Sequence, residues 1–231
     1  LILITVITGS LVLSRLQKPT SPVAPAPIQL TAHPGVEQNP ALSPDGRFIA
    51  YTWDGGDLNN RDIYIQQTNG GQIVRVTSYS GADRQPVWSP DGMQLAFLRA
   101  DEKVGEPDHL ILVQTLGGPE RELARVDGGL DWSPDGKRLV VTGLAGSNGG
   151  MGLFIISVDG SLRQQITRQD SAGVLYDSTP RFSPDGGSVA FLRSKGNEEN
   201  HISVVDLANG QIRELTKEGS QIQSGSLSWD P

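Results

Sequence analysis

The sequence predicts an all-β fold built from repeated four-stranded units, on three observations. The tetrapeptide Ser-Pro-Asp-Gly occurs four times in 231 residues, at intervals of 46, 44 and 50 residues. Each copy is followed by a short apolar run and then by glycine-rich hairpin sequences. Glycine and proline supply 28 and 15 residues, more than in an average soluble protein, which indicates many turns. A period in the forties with several short strands per repeat is typical of β-propeller blades.

The repeated motif has the chemistry of a tight turn. Proline fixes φ, aspartate can bond its own backbone, and glycine accepts a positive φ, so each motif is predicted to reverse a strand. An aromatic residue precedes three of the copies, Leu42 takes that place in the first, and Trp229 begins a fifth copy. The motif residues, with the aromatic residue where present, are Ser43, Pro44, Asp45, Gly46, Trp88, Ser89, Pro90, Asp91, Gly92, Trp132, Ser133, Pro134, Asp135, Gly136, Phe182, Ser183, Pro184, Asp185 and Gly186. We assign them a structural role.

Three further strands are predicted in each repeat after its turn. The second strands are the apolar segments 48–51, 94–97, 138–141 and 188–191, whose large-small-large pattern suits a strand covered on both faces. The third strands are 63–65, 110–112, 153–155 and 202–204. Hairpin sequences such as Asn209-Gly210 follow them, and a fourth strand closes most repeats with an apolar residue and threonine. Each repeat is therefore predicted to be a four-stranded antiparallel meander.

The repeats define an incomplete ring of blades. Their predicted bounds are about 28–77, 78–124, 125–167 and 168–216, and a fifth begins at 217–231. Residues 28–31 resemble a fourth strand without a blade of its own, which suggests an orphan strand that closes the last blade of a ring. We therefore expect about four complete blades here and a polypeptide that continues past Pro231.

The first 27 residues predict a membrane anchor and a spacer. Residues 1–18 read as the end of a transmembrane helix, because 1–13 are mainly apolar and carry no charge. A signal peptide and a buried soluble helix are the alternatives. Residues 19–27 form a Pro-rich linker, which places the propeller on one side of the membrane. Arg15 and Lys18 on the linker side run against the usual positive-inside bias for an extracytoplasmic propeller.

Composition excludes several classes of chemistry. The chain has no cysteine and three histidines, so disulfide frameworks, cysteine-based zinc sites and thiol nucleophiles are excluded. The formal charge is −7 and no basic run is present, so we expect no nucleic acid contact by this region. No catalytic residue, metal ligand or cofactor is predicted, and no Gly-x-Ser-x-Gly nucleophile elbow occurs.

Four acids at equivalent positions are the candidate binding residues. Glu37, Asp83, Asp127 and Asp177 each lie five residues before the residue that precedes the turn. Repeat symmetry places them around one mouth of the central channel, where they could hold a cation or a basic partner segment. The alternative is that each acid caps its own turn or bonds nearby backbone amides.

The motifs of residues 28–231 resemble those of TolB-type, WD-repeat-like β-propellers. The resemblance rests on the aromatic-Ser-Pro-Asp-Gly turn, the second and third strands, the glycine hairpin and the closing Leu-Thr. It implies a propeller fold, whereas function is less constrained because such blades occur in many proteins.

The membrane segment, linker and blades together resemble a membrane-anchored CadC-like winged-helix transcriptional regulator. That resemblance implies a non-enzymatic, extracytoplasmic (periplasmic) sensor that binds an unknown protein or small ligand at the propeller face. The alternatives are the sensor of a membrane Ser/Thr kinase, a TolB-like periplasmic scaffold, and the propeller of a prolyl-oligopeptidase-type serine peptidase.

Overall fold

The computed structural model describes residues 26–55, 60–144, 151–168, 175–195, 199–216, 222 and 227–229. The chain divides into two compact units, residues 1–32 and 33–231. The regular secondary structure of the described residues consists of sixteen β-strands. They are β1 (Glu37–Leu42), β2 (Phe48–Trp53), β3 (Asp62–Gln67), β4 (Val74–Arg75), β5 (Asp83–Trp88), β6 (Gln94–Arg99), β7 (Asp108–Gln114), β8 (Arg121–Val126), β9 (Gly128–Trp132), β10 (Arg138–Leu144), β11 (Met151–Ser157), β12 (Arg163–Gln165), β13 (Leu175–Phe182), β14 (Ser188–Lys195), β15 (Glu199–Asp206) and β16 (Ile212–Glu214).

The strands form four separate sheets, each with four antiparallel strands in chain order. We call these sheets blades 1 to 4; they contain β1–β4, β5–β8, β9–β12 and β13–β16. The first strands β1, β5, β9 and β13 contact one another in succession, which makes them the inner strands around a common axis. The predicted all-β architecture of meander blades is confirmed.

Apolar cores fill the three seams between neighbouring blades. The core between blades 1 and 2 includes Ile63 and Phe97, and the core between blades 2 and 3 includes Leu98 and Leu139. A third core joins blades 3 and 4. The second strands are buried along most of their length. Those of blades 2 and 3, β6 and β10, contribute residues to two cores, so their large-small-large pattern reflects burial on both faces.

The closing threonine of a repeat lies two residues beyond the fourth strand. The Thr77 Oγ1 accepts the backbone N–H of Ile63 at 3.0 Å, and Thr167 and Thr216 make the same bond in blades 3 and 4. Just beyond the last paired residue of the fourth strand, the threonine hydroxyl thus takes the place of a backbone carbonyl as the acceptor for a third-strand N–H. Blade 2 has Ala124 at this position, and β8 continues as a paired strand to Val126.

Residues 28–31 have no regular secondary structure, and the Gln29 Nε2 donates to the carbonyl of Thr31 at 2.9 Å. To form a strand, residues 28–31 would have to pair with the edge of a sheet, and each of the four described sheets already contains its four strands. The role of residues 28–31 in closing a further blade stays a prediction.

The predicted membrane segment, residues 1–18, and most of the linker, 19–27, lie outside the described residues, as does most of 217–231. No helix in the described part of the chain is both long enough and apolar enough to cross a membrane.

Candidate functional site

Each Ser-Pro-Asp-Gly turn is held by a serine hydroxyl that bonds in two directions. In the first turn, the Ser43 Oγ donates to Asp45 Oδ1 at 2.6 Å and accepts the N–H of Phe48 at 2.9 Å. The same aspartate oxygen accepts the N–H of Arg47 at 3.1 Å. The other three turns repeat these bonds, and all four motif glycines have φ between +69° and +70°. These residues build the turn that leads into each second strand.

Where the motif aromatic residue is a tryptophan, its indole bonds the inner strand of the preceding blade. The Trp88 Nε1 donates to the carbonyl of Ala41, on the inner strand of blade 1, at 2.9 Å. Trp132 and Trp229 make the same bond to the equivalent carbonyls of blades 2 and 4, at 3.3 and 3.2 Å. Leu42 has no such donor and is 60 % exposed. The tryptophans therefore fix the positions of neighbouring inner strands.

Two of the four candidate acids form buried ion pairs within their own blades. Asp83 accepts from Arg99 Nε and Nη2 at 2.7 and 2.9 Å, and Asp177 accepts from Arg193 at 2.7 and 2.8 Å. The acids are 0 % and 3 % exposed, and each lies opposite its arginine in the strand register. Arg99 also bonds Glu120 at 2.5 Å. Both oxygens of each acid thus bond a guanidinium of the adjacent strand, an arrangement that differs from both roles expected from the sequence.

The other two acids have different surroundings, because the arginine position is occupied by other residues. In blade 1, Trp53 occupies the arginine position and lies opposite Glu37. In blade 3, Gly143 occupies the arginine position, and Asp127 lies just before the inner strand β9. Arg163 of β12 approaches that glycine; a Cβ there would lie 3.6 Å from its Nη2. Burial raises the pKa of Asp127, and the Arg163 charge opposes that rise. The four acids do not share one environment, and their role in partner binding stays a prediction.

The four inner strands share a bulge that was not predicted from the sequence. Its first residue has a left-handed backbone, and the strand register shifts at this point in every blade. The residues concerned are Asn39 (φ +50°), Gln85 (+53°), Gly129 (+46°) and Thr179 (+48°). Left-handed φ is uncommon for non-glycine residues and is especially unusual for a β-branched threonine. The available signal was the proline that follows in three blades, because proline in a strand often marks a bulge.

The bulged residues line a cavity of about 730 Å³ between the inner strands, which we call the channel. Its lining consists of Asn39, Pro40, Ala41, Gln85, Pro86, Val87, Gly129, Leu130, Thr179 and Arg181. The Gln85 Oε1 and Thr179 Oγ1 are buried, with no hydrogen-bond partner among the described residues. Small apolar side chains, prolines and a few polar groups therefore form its wall.

Arg181 gives the channel wall a positive charge. Its Nη1 donates to the carbonyls of Leu130 and Pro180 at 3.1 and 2.8 Å, and its Nε donates to that of Leu227 at 3.2 Å. Burial raises the pKa of nearby Asp131, and the charge of Arg181 opposes that rise. The arginine thus holds adjacent inner strands together at the channel.

Two histidines occupy equivalent places on the third strands of their blades. His109 and His201 lie opposite Arg99 and Arg193 on the third strands of blades 2 and 4. The Nδ1 of His109 lies 3.0 Å from a carboxylate oxygen of Glu122, and His201 is 1 % exposed. Neither histidine lines the channel.

Two curated relatives match the chain in part. It is 26 % identical over 208 residues to the Tol-Pal system protein TolB of Francisella tularensis, which covers 88 % of this chain and 46 % of that protein. It is 31 % identical over 102 residues to dipeptidyl aminopeptidase BIII of Pseudoxanthomonas mexicana, covering 44 % of this chain and 13 % of the enzyme. The chain spans less than half the length of either relative. No protein-family model matches it.

Solved structures share the arrangement of blades. A putative TolB from Agrobacterium tumefaciens matches with a TM-score of 0.70 at 22 % identity, over 84 % of this chain and 70 % of that one. The fold is a β-propeller of the TolB type. TolB from Acinetobacter baumannii matches with a TM-score of 0.68 at 19 % identity, over 81 % and 45 % of the two chains. A prolyl endopeptidase matches with a TM-score of 0.63 at 16 % identity, over 79 % and 30 %. TolB-type blades therefore also resemble a peptidase propeller.

Proposed function

We propose that this TolB-type propeller is a non-enzymatic binding module whose protein partner or small ligand occupies the channel. The observation that carries the proposal is the left-handed backbone of Asn39, Gln85 and Thr179, three non-glycine residues at equivalent positions around one cavity. Strained backbone of this kind clusters at sites where function requires a defined geometry.

The chemistry of the channel favours binding over catalysis. Its volume of about 730 Å³ is typical of ligand pockets, which are mainly apolar with a few placed polar groups. None of its described lining residues is a histidine, aspartate, glutamate, lysine or cysteine, the groups that usually serve as acids, bases or nucleophiles. An extended peptide segment suits such a wall of prolines, amides and one guanidinium.

The proposal includes an extracytoplasmic location and a membrane anchor. It is supported by the mainly apolar, uncharged residues 1–13 and the Pro-rich linker 19–27, and by the resemblance to CadC-like winged-helix regulators. Partner binding would then be signalled across the membrane to a DNA-binding domain. The alternatives are that the signal reaches a Ser/Thr kinase domain, or that the propeller serves as a TolB-like scaffold. About 100 residues of winged-helix pattern encoded before Leu1 would support the regulator. A start codon and a short basic segment directly before Leu1 would contradict it.

Site-specific photo-crosslinking tests channel binding. A benzoylphenylalanine at Ala41, in the channel wall, is expected to give a discrete crosslinked partner in intact cells. The same probe at Leu116, which is 94 % exposed and outside the channel, serves as the control and is expected to give no such adduct. Val87→Trp, which narrows the channel, should reduce the yield at Ala41. The absence of an adduct at Ala41, or the same adduct at both positions, would contradict the proposal.

A peptidase propeller is the second candidate, because the similarity to a dipeptidyl aminopeptidase and to a prolyl endopeptidase specifically favours it. In that case a catalytic domain elsewhere in the full polypeptide would carry the nucleophilic serine. A fluorophosphonate probe that labels active-site serines distinguishes the two candidates. Labelling of the full-length protein would support the peptidase, and lack of labelling would reject it.

A further inference from the structure

A second cavity, which shares no lining residue with the channel, lies between the Ser-Pro-Asp-Gly turns of blades 1 and 2. It has a volume of about 360 Å³, and we call it the turn cleft. Phe48 and Trp88 form its aromatic wall, with ring centroids 6.4 Å apart and ring planes at 34°. Pro44 and Pro90 complete the apolar surface, and the two motif aspartates lie beside it. Aromatic faces next to carboxylates are the combination that attracts an organic cation.

The two aspartates of the turn cleft are ionised and weakly neutralised. The serine hydroxyl and a backbone N–H of each turn hold the pKa of Asp45 and of Asp91 below the usual value. Arg47 lies 3.9 Å from Asp45, but the two side chains are 79 % and 54 % exposed, and such surface pairs contribute little. Asp91 forms no ion pair among the described residues. Two negative charges thus remain beside an aromatic surface.

The equivalent seam between blades 3 and 4 already contains an arginine. Arg138 occupies the position of Phe48, and its guanidinium carbon lies 5.7 Å from the ring centroid of Phe182, which is equivalent to Trp88. Its Nη2 also lies 4.0 Å from Asp135, the motif aspartate of its own turn. This chain therefore places a guanidinium between the motif aromatic residue and the motif aspartate of one seam. The turn cleft between blades 1 and 2 has the same motif aromatic residue and motif aspartate, and the ring of Phe48 stands where the other seam has the arginine.

We propose that the turn cleft binds an arginine side chain of a basic segment on a partner protein, by stacking on Phe48 and Trp88 and pairing with Asp45 and Asp91. The planar guanidinium stacks on aromatic faces and pairs with carboxylates, and its alkyl stem covers the prolines. The net charge of −7 further favours a basic partner. This site is separate from the channel, so its test does not depend on the proposed function.

Fluorine NMR of the full-length protein labelled with 5-fluorotryptophan tests the proposal. The probe is the peptide acetyl-Gly-Arg-Gly amide, and the control peptide has citrulline, which keeps the shape and lacks the charge. We expect the arginine peptide to shift the resonance of Trp88, assigned by its loss in Trp88→Phe, and the citrulline peptide to bind at least tenfold more weakly.

A matched pair of double variants separates binding from turn stability. Asp45→Asn with Asp91→Asn removes the charges of the turn cleft and should weaken binding of the arginine peptide at least tenfold. Asp135→Asn with Asp185→Asn changes the same turn chemistry in blades 3 and 4 and should leave binding unchanged. Equal binding of the citrulline peptide, equal loss in both double variants, or a shift at Trp132 instead of Trp88 would overturn the proposal.

Discussion

At the residue scale, the serine hydroxyl explains why the turn needs its particular residue types. Ser133 is fully buried, donates to Asp135 at 2.5 Å and accepts the N–H of Arg138 at 2.9 Å. Alanine could make neither bond, and leaving buried polar groups without partners costs about 1–3 kcal/mol. The turn sequence predicts the reversal of the chain, whereas the double use of the hydroxyl becomes visible only in the structure.

The turn aspartates make stability depend on pH. Hydrogen bonds from serine hydroxyls and backbone N–H groups lower the pKa of Asp45, Asp91, Asp135 and Asp185 in the folded state. The unfolded chain, with pKa values near 3.9, then binds more protons at low pH. These groups therefore contribute stability that is present above about pH 4 and is lost as pH falls through their lower folded pKa values.

Thermal melting between pH 7 and pH 2.5 tests this dependence. Asp91→Asn removes one of the titrating groups, so its melting temperature should fall less steeply below pH 4 than that of the wild type. Parallel curves for the two proteins would contradict the expected contribution of Asp91.

Thr179 is expected to destabilise the inner strand in which it lies. Its φ of +48° costs a β-branched residue roughly 1–2 kcal/mol, and its Oγ1 is buried without a described partner. Glycine lacks that penalty, but it lowers the free energy of unfolding by about 0.5–1 kcal/mol because it gives the unfolded chain more conformational freedom. Thr179→Gly should therefore raise the free energy of unfolding in urea titrations by about 0.75 kcal/mol, the difference between the midpoints of those two ranges.

Gly129, the equivalent residue of blade 3, provides the control. A Cβ at this position would lie 2.7 Å from atoms of both Pro180 and Thr142, so Gly129→Ala should destabilise the protein by roughly 1–3 kcal/mol. A loss of stability in Thr179→Gly would show that the threonine side chain makes a favourable contribution that outweighs its strain.

At the element scale, ion pairs form between adjacent strands, and the sequence alone does not predict which acid pairs with which arginine. The predicted strands could be located because apolar runs follow each turn, and the register then brings Asp177 of β13 opposite Arg193 of β14. The acids were recognisable from their repeat position, but their partners were not, because the same strand position holds Trp53 in blade 1 and Gly143 in blade 3. Glutamine and threonine themselves give no sign of a left-handed backbone, so the sequence signals the bulge only through the proline that follows it in three blades.

The buried pair of β13 and β14 should be far more important than an exposed one. Asp177 and Arg193 have side chains 2 % and 13 % exposed, and removing one partner of a buried pair costs about 3–5 kcal/mol. Asp177→Ala should lower the free energy of unfolding by about 3 kcal/mol, measured by urea titration. Arg47→Ala, which breaks the exposed pair with Asp45, should change it by less than about 1 kcal/mol. Similar small effects of both variants would rule out a structural role for the buried pair.

At the scale of the whole molecule, stability is located in the seams. Each core contains residues of two neighbouring blades, so the blades support one another as repeats of a linear array do. The period of the turn predicted this architecture, because a single meander sheet cannot bury both of its faces. The channel could not be predicted in the same way, since its shape depends on how far the inner strands approach one another and on their bulges.

The two faces of blade 3 offer a direct test of this coupling. Leu139 belongs to the core shared with blade 2, Leu153 belongs to the core shared with blade 4, and both are fully buried. Truncation of either leucine to alanine removes the same atoms and should cost about 2–5 kcal/mol. In hydrogen exchange, Leu139→Ala should speed exchange in β6 and β7 as well as in blade 3, whereas Leu153→Ala should speed it in β14 and β15. If both variants instead affected blade 3 alone, each blade would be an independent unit, and if both affected all four blades equally, the propeller would unfold as a whole without separable seams.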